Sequence, residues 1–90
     1  MLEMLVVDRG GAANRIRSRV KRIISQRKSL PHFVALMQSG KFRITVLTAT
    51  TQQQQKIKRR LGDKFHPVEV TAVVIPELLD LLMLRKKKNV

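Results

Sequence analysis

The chain opens on an apolar run, Leu2 to Val7, that stops at Asp8 and the pair Gly10-Gly11. A short apolar stretch bounded by turn formers predicts a buried strand. From Ala13 the period changes. Ile16, Val20, Ile23 and Ile24 recur at i, i+4, i+7 and i+8, the spacing of one helical face. Leu30-Pro31 breaks that helix, and Pro31 can start a second, short one through His32, Phe33, Leu36 and Met37, closed by Ser39-Gly40. "FRITVLT", Phe42 to Thr48, is β-branched and partly alternating, which predicts a strand. "TATTQQQQKIKRRLG" predicts a helix with Thr51 as its cap, Gln54 completing a capping box and Gly62 as its stop. Its apolar stripe is only Ile57 and Leu61, so it should lie on the surface. Pro67 introduces a third strand, Val68 to Ile75, and Pro76 opens a last helix, "ELLDLLMLRKKK", apolar on nearly every side.

The expected order is therefore β-α-α-β-α-β-α. Alternating strands and helices imply an α/β fold, a small, mostly parallel three-stranded sheet with right-handed crossovers. Residues 1–84 form a single α/β domain in this reading, and 85–90 are a basic tail. No internal repeat is visible. At 90 residues the chain buries a bit over ~60% of its unfolded surface, enough for one thin core. Such a sheet has uncovered edges, and the last helix needs more cover than one sheet face offers. A homo-oligomer is expected, with Leu78, Leu79, Leu81 and Leu82 as its interface.

Composition changes this picture in one respect. Nineteen Lys and Arg against six Asp and Glu give a net charge of +13. Self-repulsion at that density favours a polyanionic partner. Nucleic acid comes first, DNA ahead of RNA. An anionic membrane ranks lower, because the basic helix has a narrow apolar stripe and no aromatic anchor. The apolar start is too short for a signal peptide, and Leu78 to Leu84 is far too short to span a bilayer. The absence of cysteine excludes disulfides and thiolate chemistry and fits a cytoplasmic setting. Phosphate contacts are expected from Arg9, Arg15, Arg17, Arg19, Lys21 and Arg22, with Lys56, Lys58, Arg59 and Arg60 as a second patch. Only Phe33, Phe42 and Phe65 are aromatic, so base stacking should contribute little and the backbone should be the target.

Candidate chemistry is sparse. Metal-dependent phosphodiester cleavage needs at least two converging oxygen ligands. Only Asp8 stands at the C-terminal end of a strand, where open α/β sheets place their sites. Glu3, five residues before it, points to the opposite face of an extended strand. Asp8 is therefore expected to cap or turn into the basic helix, and no catalytic residue, metal site or cofactor is assigned unless the chain is nuclease-like. His32 and His66 have no triad neighbours. Gly10-Gly11 is followed by neither G-x-G-x-x-G nor a Walker pattern, which leaves a backbone phosphate as the better ligand for that corner.

"LVVDRGGAANRIRSRVKR" followed by "KFRITVLTATTQQQQKIKRRL" resembles the replication-relaxation proteins of bacterial plasmids and mobile elements. The resemblance covers roughly Met4 to Leu61. It implies a module like the restriction-endonuclease fold, in which a strand ends in Glu-x-Asp-Arg-Gly before a helix carrying Arg-Ile-Arg. Asp8, Arg9, Gly10, Arg15 and Arg17 fit that pattern. Val6 stands where the pattern has its Glu, and Arg19 or Lys21 would serve as its basic helix residue. The resemblance thus implies a reduced module short of one metal ligand. The expected function is a small basic protein that binds nucleic acid through its phosphates, with little dependence on sequence. The alternatives are a degenerate or accessory nuclease-like module of a mobile element, and a protein-interaction module.

Overall fold

A computed structural model describes residues 2–9 and 12–78. The apolar start forms β1 (Leu2–Val7), and the two helices after it are α1 (Ala13–Arg27) and α2 (Pro31–Gln38). Then come β2 (Phe42–Thr48), α3 (Thr51–Leu61) and β3 (Glu69–Val74). The three strands make one parallel sheet in the order β1-β2-β3. The expected β-α-α-β-α-β order is therefore the observed one. The expected final helix begins at Glu77–Leu78, and Leu79, Leu81 and Leu82 lie outside the described residues. β3 is shorter than Val68–Ile75: the backbone N–H of Val68 turns back to the carbonyl of Phe65.

The strand order fixes where the helices go. Both crossovers advance in the same direction across the sheet, and right-handed crossovers then place their helices on the same face. The burial pattern agrees. Val6, Phe42, Ile44, Val46 and Ala72, which share a face by register and alternation, are all buried. Against them pack Ile16, Val20, Ile23 and Ile24 of α1 and Ile57 and Leu61 of α3, the two apolar stripes visible in the sequence. A buried aliphatic side chain contributes ~1.5–3 kcal/mol relative to exposure, so this single layer carries most of the fold's stability. The helix α2 closes one end through Phe33, whose ring meets Phe42 edge-on at 5.9 Å between centroids.

The opposite face of the sheet is open among the described residues. Its cross-strand rows are Glu3-Arg43-Glu69, Leu5-Thr45-Thr71 and Val7-Leu47-Val73. The polar rows are tied together. Thr71 Oγ1 donates to Thr45 Oγ1 at 3.4 Å, Thr45 Oγ1 donates to Glu3 Oε2 at 2.9 Å, and Arg43 Nε sits 3.4 Å from the same carboxylate. This polar set fixes the register from the side the helices do not cover, because a one-residue slip would turn it into the core. The last row is apolar, and Leu5 and Val73 remain 57% and 44% exposed.

Helix ends follow local chemistry. The cap of α3 is Thr50 and not Thr51. Thr50 keeps extended dihedrals as the chain leaves β2, and its hydroxyl accepts from the Gln53 N–H at 3.2 Å. Gln54 does not close a capping box, since its Nε2 donates to the Ala72 carbonyl at 2.8 Å and ties α3 to β3. Gly62 ends α3 at a positive φ of 36°, and a Cβ there would meet the Lys58 carbonyl at 3.3 Å.

Candidate nucleic-acid interface

None of α1, α2 and α3 contains an Asp or Glu, whereas α1 carries six Lys and Arg and α3 carries four. Because α1 and α3 pack side by side on the sheet, these charges share one layer. The carboxylates lie elsewhere: Glu3 and Glu69 on the open sheet face, Asp8 buried at a strand end, Asp63 after α3 and Glu77 after β3. Among the described residues the charge is therefore two-sided.

The seam between the helices holds two adjoining clefts. One, of about 570 Å³, starts at Ala12, Ala13 and Asn14 and is walled by Gln53, Lys56, Arg59 and Arg60. The other, of about 380 Å³, continues along α1 between Arg17, Ser18, Lys21 and Arg60. Lys56 and Arg60 are four residues apart, as are Arg17 and Lys21, so each pair stacks along one side of its helix. Two patches separated by more than thirty residues of sequence thus converge on one groove, with Arg60 in both clefts. The N-terminal end of α1 adds its own partial positive charge at the mouth. Its N-cap, Ala12, supplies no side-chain hydrogen bond.

Not every expected contact joins this groove. Arg15, Arg19 and Arg22 follow i, i+4, i+7 spacing, exposed on the other flank of α1, away from α3. Lys58 lies on the far side of α3 with Gln54, facing β3. Arg9 is exposed at the end of β1, outside the residues that line the two clefts. The sequence displays all these charges but not their grouping, which depends on which flank of α1 meets α3.

Asp8 corrects another expectation. It neither caps α1, whose N-cap is Ala12, nor faces solvent: it is 2% exposed. Its Oδ2 accepts from the Thr48 hydroxyl at 2.9 Å, and its backbone N–H donates to the Leu47 carbonyl. It therefore fastens the end of β1 to the end of β2. No group of three His, Asp or Glu able to hold a metal ion converges among the described residues. Glu69, the other conceivable acid, starts β3 on the open face, at the far end of the sheet from Asp8 and on its other side. His32 and His66 are exposed. No helix among the described residues is long and apolar enough to cross a membrane.

No family model, curated protein or solved structure matches this chain.

Proposed function

We propose that this is a small basic protein that binds nucleic acid through the phosphate backbone, DNA ahead of RNA, with little dependence on base sequence. One observation carries the reading: a helical layer with six cations on α1, four on α3 and no carboxylate, folded so that two distant patches form one groove. Cations so crowded repel one another, and releasing the counterions of a polyanion is what they do best. A cytoplasmic setting is in keeping with the cysteine-free composition. The likeness to the replication-relaxation proteins adds a mobile-element setting, and it rests on the Asp8-Arg9-Gly10 corner and the basic helix after it. A nuclease role has less support, because Glu3 and Glu69 lie across the sheet from Asp8.

The test is a set of titrations against duplex DNA at several salt concentrations. If about six phosphates are neutralised, log K falls with log salt at a slope of about −5. Duplexes of scrambled sequence should bind alike, since phosphate contacts carry no sequence code. Salt-independent binding, or none at 50 mM salt, would overturn the reading.

A second reading runs beside this one: the protein pairs with another copy of itself through the open sheet face. That face exposes Leu5 and Val73 and carries Glu3, Arg43 and Glu69 in place of the cations of the helical layer. Two copies can meet there without opposing their positive sides, and a C2 pair would present two basic layers outward.

A further inference from the structure

The structure separates the charges of α1 into two lines, and that separation bears on which nucleic acid fits. This inference rests on the phosphate-binding reading above and adds the form of the ligand. Arg17 and Lys21 line the seam with α3, together with Lys56 and Arg60. Arg15, Arg19 and Arg22 form the second line. At about 100° per residue the two lines stand roughly 150° apart around the helix, with Ser18 on the crest between them and Ile16, Val20 and Ile23 on the buried side.

A helix with its side chains is ~10–12 Å across, so the two lines stand about that far apart. The major groove of B-form DNA is ~12 Å wide between its phosphate walls. A single strand offers one line of phosphates and would leave the second line of arginines idle. It would also ask for stacking platforms. Phe42 is buried in the core, Phe33 packs on Phe42 under the Arg27 guanidinium at 5.3 Å, and Phe65 packs against the core, so none lines the seam. An RNA duplex draws its major groove into a deep, narrow slot with a different spacing of phosphate walls.

We propose that the ligand is a B-form duplex gripped across one groove, with α1 lying along the groove and its two cationic lines set on the two opposite phosphate strands. The seam line, reinforced by α3, holds one strand, and Arg15, Arg19 and Arg22 hold the other.

The experiment compares two variants of the full chain by fluorescence anisotropy between 50 and 200 mM salt. One is Arg15→Gln/Arg19→Gln/Arg22→Gln and the other is Arg17→Gln/Lys21→Gln/Arg60→Gln. Probes are a duplex DNA, its single strand and an RNA duplex of the same length. All six side chains are exposed, and circular dichroism verifies that the helices persist. On duplex DNA each variant should lower the magnitude of the salt slope by about 2.7, three contacts at about 0.9 each. On the single strand and the RNA duplex the Arg15/Arg19/Arg22 variant should change the slope of the parent protein by less than about 1, through net charge alone, while the seam variant lowers it further. Equal loss on all three probes from the Arg15/Arg19/Arg22 variant overturns the groove-spanning grip while leaving phosphate binding intact. So does an unchanged slope on duplex DNA. Failure of the parent protein to bind any probe overturns the underlying reading itself.

Discussion

The buried hydrogen bond from Thr48 to Asp8 ties the ends of β1 and β2 together. Both side chains are inaccessible, and each is the other's partner across the ends of neighbouring strands. Asp8→Ala leaves the Thr48 hydroxyl without that donor's acceptor, a loss of roughly 1–3 kcal/mol. For a domain this size each kcal/mol lowers Tm by about 4–8 °C. Thr48→Val should cost a similar amount, and the double variant should cost less than the two added together. Additive thermal shifts in that cycle would show that the two side chains do not act as a unit. Position alone singles out Asp8 in the sequence, because it follows an apolar run and precedes glycines. Its partner is forty residues away, and only the parallel register between β1 and β2 reveals it. The cap of α1 is Ala12, and the bond that Asp8 makes to Thr48 is an inter-strand one that its sequence position does not announce.

At the scale of elements, periodicity made the helices and strands legible and left their ends ambiguous. The four apolar positions of α1 and the two of α3 are all buried where their spacing puts them. The start of α3 is less legible, since "TATT" offers several hydroxyls in succession and only backbone conformation selects among them. Thr50 is the one whose dihedrals, φ −132° and ψ 152°, keep it outside the helix with its hydroxyl over the Gln53 N–H. Thr50→Ala should therefore destabilise the protein by about 1 kcal/mol, and Thr51→Ala by under about 0.5 kcal/mol. Urea midpoints measure both, and the reverse ranking would place the cap one residue later. Gln54→Ala should also cost stability, through its bond to Ala72 and not through a cap. The division of the α1 arginines into two lines has the same character. Each residue's angle is implicit in the sequence, but the identity of the seam follows only from the packing of α1 against α3.

Among the described residues the sheet acts as a divider. Its covered face carries α1, α2 and α3, none with a carboxylate, and its other face carries Glu3, Arg43 and Glu69, threonines and an apolar row. This two-sidedness follows from the chain's topology, because both crossovers advance the same way across the sheet and their helices pack on one face. Leu5 and Val73, the exposed apolar residues of that face, can be tested directly. Sedimentation at high micromolar concentration should show association that Leu5→Glu with Val73→Glu abolishes, with the fold retained by circular dichroism. A monomer under those conditions in the parent protein would contradict pairing through this face, and would leave the basic layer to act alone.

Where the charge acts matters here more than how much of it there is. The direct measurement is the salt dependence of duplex DNA affinity for two variants of equal charge loss. One removes Lys21, Lys56 and Arg60 from the seam by substitution to Gln, and the other removes Lys28, Lys41 and Lys64, exposed cations outside the residues lining the clefts. The seam variant should lose about 2.7 from the magnitude of the slope and bind every sequence more weakly. The control should change the slope by less than about 1, through net charge alone. Equal slopes for the two variants would contradict the account, and would make the groove between α1 and α3 no more than part of a uniformly basic surface.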